Sequence, residues 1–137
     1  MINISECCFS AGKKNILYKT IWILTKECHW RCSYCGVNRR QRKSYQRLSL
    51  QDNMSILHKL KELGINNLVL TGGEPLLLKN DLITLLDLSL KLGISFSLST
   101  TGEPKEILLD VLDRKPRKIS FSLDASDPKI HDKIRGP

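Results

Sequence analysis

Cys28, Cys32 and Cys35 stand within one short stretch, separated by three and then two intervening residues. The stretch follows an apolar run, Thr20-Ile21-Trp22-Ile23-Leu24-Thr25, that reads as a buried strand. A loop leaving a strand end can aim three thiolates at one point, and thiolates select zinc, copper(I) or iron–sulfur clusters. Structural zinc takes four ligands, so a zinc reading must recruit His29, His58 or the Cys7-Cys8 pair. A cubane cluster held by three cysteines instead leaves one iron open to a ligand that is not protein. The plainest alternative is three unrelated core cysteines, since free cysteine is a common buried residue.

The elements that must position this loop are legible in order. The first strand spans 18–25. After Gly36 comes a basic stretch with Arg39, Arg40, Arg42, Lys43 and Arg47 and no acid among them. It reads as a solvated loop, with a grip on phosphates as the functional alternative and Tyr45 as a stacking ring. Ser49, with Asp52 three positions on, opens a helix whose Leu50, Met54, Leu57, Leu60 and Leu63 share a face, and Gly64 stops it. Met54 and His58 on this helix read as packing and surface residues. A second strand, 67–71, is apolar on both faces and ends in Gly72-Gly73-Glu74-Pro75. A second helix starts at Asn80 or Asp81 and ends at Gly93. Leu63-Gly64-Ile65 before one strand recurs as Leu92-Gly93-Ile94 before the next, at the period of a strand-helix unit, and such units lay their strands parallel.

Strands three (94–99) and four (119–124) alternate strictly. Ile94, Phe96 and Leu98 interleave with Ser95, Ser97 and Ser99, and Ile119, Phe121 and Leu123 with Ser120, Ser122 and Asp124. Successive side chains point to opposite faces, so each strand has one apolar face for helices and one hydroxyl face turned inward. An ordinary barrel fills that interior with Val, Ile and Leu. A hydroxyl interior is built to hold a ligand. The carboxyl ends of such strands are where chemistry sits, which places the Gly-Gly-Glu-Pro tetrad beside the cysteines.

At 137 residues the chain is one domain's worth, and its charge is 22 − 14 = +8. That balance favours an acidic partner and leaves nucleic acid open. No apolar run approaches the roughly 18 residues of a membrane span, and Met1-Ile2-Asn3-Ile4-Ser5-Glu6, in the arm at 1–17, lacks the basic-then-apolar layout of a secretory signal. A cytoplasmic location follows, where an odd count of five cysteines points to metal or redox chemistry over disulfides. Cys7 and Cys8 read as incidental.

Cys-x-x-x-Cys-x-Tyr-Cys after the first strand, with Gly72-Gly73-Glu74 after the second, resembles the radical S-adenosylmethionine (radical SAM) superfamily. Ser122-Leu123-Asp124 with His131 to Gly136 resembles its branch of peptide-modifying and molybdopterin-pathway enzymes. The resemblance implies an α/β fold, a partial (βα) barrel of about four parallel strands with helices on the outer face, in an incomplete core domain over 18–137. It implies that Cys28, Cys32 and Cys35 hold a 4Fe-4S cluster, with Tyr34 as the aromatic of the motif. S-adenosylmethionine is then chelated by the open iron, its amino group received at Gly72, Gly73, Glu74 and Pro75. Thr100, Ser122 and Asp124 would face the ribose, and Arg135 the carboxylate. Thr101 departs from the Asn common at its position. The implied reaction is reductive cleavage to a 5′-deoxyadenosyl radical that abstracts hydrogen from a substrate, peptide or nucleotide. The implied partner is an electron donor such as flavodoxin or ferredoxin. The rival reading is a non-catalytic iron–sulfur or zinc module.

Overall fold

Alternation along the strands decides where the helices go. A computed structural model of the chain describes residues 19–37 and 46–136. Strands β1 (Lys19–Thr25), β2 (Asn67–Gly72), β3 (Ser95–Thr100) and β4 (Lys118–Phe121) form one parallel sheet in that order. Helices α1 (Leu50–Glu62), α2 (Asn80–Lys91) and α3 (Lys105–Asp113) connect them, and α4 (Pro128–Arg135) follows β4. A short 3₁₀ turn, Pro75–Leu78, links β2 to α2.

Leu68 and Leu70 of β2 and Phe96 and Leu98 of β3 meet Leu57 of α1, Leu82 and Leu86 of α2 and Val111 of α3. Each of these is at most 3% exposed. Burying one such side chain stabilises by about 1.5–3 kcal/mol, so this seam carries the fold. Ser95, Ser97 and Ser99 lie on the other face, as the alternation predicts, and are only partly buried. The register sets Ile21, Val69, Ser97 and Lys118 side by side across that face, with Ile23 beside Thr71 and Ser99 beside Ser120. It therefore grades from apolar at β1, where Ile21 and Ile23 are 67% and 57% exposed, to hydroxyl at β3 and β4.

Local signals mark the ends. Ser49 and Asp52 form the reciprocal capping box at the start of α1. The repeat around Gly64 and Gly93 is structural: both have positive φ (80° and 69°), and the Ile65 and Ile94 amides each reach back five residues, to Leu60 and Ser89. Asp127 caps α4, with Pro128 in its first turn. Arg114, just past α3, grips Asp87 of α2 with two nitrogens at 2.7 and 2.9 Å.

Two elements differ from the sequence reading. The fourth strand stops at Phe121 where 119–124 is expected; the Ser122 amide makes one more bond, to the Thr100 carbonyl, and the chain then leaves the sheet toward α4. The helix α3 carries no side-chain cap, Pro104 standing at its N-cap, and so had no start signal; Ile107, Leu108 and Val111 turn it onto the sheet. The arm at 1–17, with Cys7 and Cys8, and most of the basic stretch, including Tyr45, lie outside the described residues. Arg47, at the end of that stretch, is spent on Asp81 at 3.2 Å. Among the described residues no helix is long and apolar enough to cross a membrane.

Candidate functional site

The cysteine loop is anchored where β1 and β2 end side by side. The Thr25 carbonyl accepts the Gly73 amide at 2.7 Å, and the Glu27 carbonyl accepts the Glu74 amide at 2.7 Å. The Glu27 amide in turn bonds the Thr25 hydroxyl at 3.0 Å. This approach leaves no room for a side chain. A Cβ on Gly72 would sit 2.3 Å from the Thr25 carbonyl oxygen, and one on Gly73 would sit 2.0 Å from that of Glu27. Gly72 also has φ 152°, which favours glycine. The two glycines are thus demanded first by the backbone that launches the cysteine loop, where close approach to a ligand is the sequence reading.

Glu74 is fully buried. Its Oε1 accepts the Leu76 amide at 3.0 Å and the Thr100 hydroxyl at 2.7 Å, and its Oε2 accepts the Thr101 amide at 2.6 Å. Three donors offset the cost of removing a carboxylate from water. The residue ties the end of β2 to the end of β3. Thr100 passes the link on, accepting the Gly102 amide at 2.9 Å.

The far side of the loop is held by α4. The Ile134 carbonyl accepts the Ser33 amide and the Arg135 carbonyl the Arg31 amide, both at 3.1 Å. Gly136 ends the helix with φ 77°, its Cα so near Arg31 that a Cβ would lie 3.2 Å from the Arg31 carbonyl oxygen. The Arg135 side chain turns back over the loop. Its Nε lies 2.6 Å from Asp124 Oδ2, and its Nη1 lies 3.8 Å from the Cys32 sulfur. The Trp30 and Tyr34 rings each stand 5.6 Å from the guanidinium carbon. The Tyr34 hydroxyl donates to the same Asp124 oxygen at 2.7 Å. That bond, with some desolvation, pushes the Tyr34 pKa up to about 12. Tyr34 and then Arg135 hold the Asp124 carboxyl below its ordinary range.

One cavity of about 140 Å³ lies between these supports. Cys28, Cys32, Cys35, Tyr34, Gly72, Gly73, Thr100, Ser122 and Arg135 line it. Glu74, Pro75 and Asp124 do not; the first two are buried behind the wall and Asp124 stands behind Arg135. Val37, Thr71, Ser99 and Thr101 also line the cavity. Ser99 was announced by strand alternation, whereas Thr71, on a strand read as apolar on both faces, and Val37 had no signal. Cys28, Cys32 and Cys35 are free thiols, and burial pushes the Cys28 thiol up. A soft cation at this site must therefore displace its proton.

Among the described residues no three His, Cys, Asp or Glu side chains converge on a single metal ion. His29 Nε2 lies 3.5 Å from both Glu103 and Thr101, and His58 is exposed on α1. Cys28, Cys32 and Cys35 nevertheless line the same cavity.

Residues 22–137 match the family model described as the Radical SAM superfamily. The chain is 25% identical over 117 residues to an AdoMet-dependent heme synthase of Oleidesulfovibrio alaskensis, covering 84% of this chain and 30% of that protein. It is 32% identical over 121 residues to a GTP 3′,8-cyclase of Desulforamulus reducens, covering 84% of this chain and 36% of that one. The chain spans about a third of the length of the curated relatives it matches. Among solved structures, Streptococcus suis SuiB bound to S-adenosylmethionine superposes with a TM-score of 0.71 at 22% identity, covering 88% of this chain and 28% of SuiB.

Proposed function

The chain belongs to the radical SAM superfamily, and from that premise we propose that it forms the amino-terminal part of an enzyme core in which Cys28, Cys32 and Cys35 hold a 4Fe-4S cluster and S-adenosylmethionine binds beside it. The carrying observation is that Cys28, Cys32 and Cys35, the Gly72-Gly73 backbone, Thr100 and Ser122 all line one cavity. Soft sulfur donors suit iron, and neighbouring hydroxyls and backbone suit the polar groups of a nucleoside and an amino acid. When bound, the reduced cluster and S-adenosylmethionine together supply a 5′-deoxyadenosyl radical, which takes a hydrogen atom from a substrate.

What this chain supplies is placement. The junction between the ends of β1 and β2 sets the distance between the cysteine loop and the Gly72-Gly73 wall. Glu74 holds that wall as a brace, since its carboxylate is committed to three internal donors. Ser122 lines the cavity just past the end of β4, suited to a ribose, whereas the Thr100 hydroxyl, expected at the ribose, is committed to Glu74 and the Gly102 amide. Trp30 and Tyr34 stand against the Arg135 guanidinium and help to hold it beside Cys32. A peptide or a nucleotide as substrate is favoured by relatives and neighbours: one relative is named for GTP, and SuiB has also been solved with its precursor peptide. An electron donor such as flavodoxin or ferredoxin completes the proposal.

Anaerobic reconstitution with iron and sulfide, followed by dithionite and S-adenosylmethionine, tests it. The expected products are methionine and 5′-deoxyadenosine in equal amounts, abolished by Cys32→Ala. A colourless protein carrying one zinc ion and yielding neither product would overturn the proposal.

A further inference from the structure

We propose that Arg135 sets the reduction potential of the cluster by aiming a guanidinium N–H at the Cys32 sulfur; the inference rests on the proposed function, because it presupposes that the three cysteines hold iron and sulfide. Cys32 is buried, at 9% exposure, and Arg135 Nη1 lies 3.8 Å from its sulfur. The Arg135 side chain is itself only 12% exposed. It is fixed in place by the Asp124 carboxylate at 2.6 Å and by the Trp30 and Tyr34 rings. A guanidinium keeps its charge at any working pH, and a held one cannot swing into water as a surface lysine does.

The backbone beside it makes that charge matter. The last turn of α4 presents the Ile134 and Arg135 carbonyls to the cysteine loop, bringing the negative end of a helix up to the sulfurs. Glu74 adds a further carboxylate at the junction where the Glu27 carbonyl, next to Cys28, holds its amide. Both disfavour adding an electron. Arg135, from the same last turn, supplies the opposing charge and a donor to one ligand. Net charge and hydrogen bonds to the sulfurs are levers that set cluster potentials. Removing Arg135 should therefore make the cluster harder to reduce while leaving the backbone clamp intact, since the clamp uses main-chain carbonyls.

The test is a redox titration followed by electron paramagnetic resonance, in the absence of S-adenosylmethionine, on the anaerobically reconstituted chain. Iron and sulfide content are matched between samples. Arg135→Met is expected to lower the equilibrium constant for one-electron reduction about tenfold, a shift of ~59 mV. The double variant Asp124→Asn/Arg135→Met, which removes both charges of the pair, is expected to retain a smaller fall, because the donor to sulfur is still missing. An unchanged potential in loaded Arg135→Met overturns the inference and leaves the proposed function standing. A double variant that returns to the parent potential assigns the effect to charge alone and overturns the directed bond. If Arg135→Met does not load, Arg135→Gln is read in its place by the same criteria. A parent chain that assembles no cluster overturns both the inference and the proposed function.

Discussion

Two carboxylates flank the cysteine loop, and they do opposite jobs. Glu74 is fully buried and satisfied by neutral donors, two amides and a hydroxyl. Asp124 is partly exposed and satisfied by a cation and a phenol, Arg135 and Tyr34. The Glu74 side is stiff: short backbone bonds and a steric ban on any side chain at Gly72 and Gly73 lock two strand ends together. The Asp124 side is a clamp that reaches from near the end of the chain to a loop about one hundred residues earlier. Buried, fully bonded groups stabilise through what is lost when one partner goes, whereas a largely buried ion pair offsets its own desolvation cost and also sets the local charge. The brace should govern folding and the clamp should govern chemistry.

The sharpest break in that contrast is Gly73→Ala. Its Cβ would fall 2.0 Å from the Glu27 carbonyl oxygen, and backbone on both sides leaves nothing cheap to move. Overpacking of this kind costs about 1–3 kcal/mol or more. Chemical denaturation should show that loss, and reconstituted protein should hold less iron, since the displaced backbone carries the cysteine loop.

Glu74→Gln comes next. Every oxygen of this carboxylate accepts, so an amide group must point a donor at another donor, and about 1–3 kcal/mol is the cost of a buried group left unsatisfied. A loss within experimental error would mean that Glu74 is not a brace, and the contrast would fail.

Asp124→Asn should lower the denaturation midpoint, by less than Glu74→Gln because the carboxylate is partly exposed, and should also shift a titration. Tyr34 has its pKa pushed up to about 12, chiefly by its bond to Asp124. A raised folded pKa means the neutral phenol is favoured in the fold. That contribution is complete below the ordinary tyrosine value near 10 and is lost as pH rises through about 12. For Asp124 the sign is reversed, because its pKa is lowered: its contribution holds above the ordinary carboxylate value and fades as pH falls through the depressed one. Alkaline ultraviolet difference spectra, with Tyr34→Phe subtracted, should show the Tyr34 phenol returning toward its ordinary pKa in Asp124→Asn. The smallest effect belongs to Arg47→Ala, which breaks an exposed pair with Asp81 far from both supports and should cost within about 1 kcal/mol.

Much of this was legible residue by residue. Apolar and hydroxyl alternation in 94–99 placed Phe96 and Leu98 against helices and Ser99 on the opposite face, because side chains on a strand have no other arrangement available. The Leu-Gly-Ile repeat announced two helix ends that use the same five-residue return bond. Less could be read at β4, where the alternation runs on to Asp124 although pairing ends at Phe121. A strand's length depends on its neighbours as well as its pattern. The helix α3 was hidden because its start relies on Pro104 and tertiary packing, without a capping side chain.

The amino-acid sequence by itself determined which groups are present and how the chain is cut into strands and helices, since thiol spacing, caps and alternation are local properties. It also determined the family, through three cysteines after one strand and two glycines with an acid after the next. Only the tertiary structure decided what those groups touch. It turned Gly72 and Gly73 toward the protein's own backbone, enclosed Glu74 among internal donors, and brought Arg135 to the Cys32 sulfur. The physical reason is that each outcome depends on a distance between segments remote in the chain, set by strand register and by where α4 comes to rest. No local pattern encodes that distance.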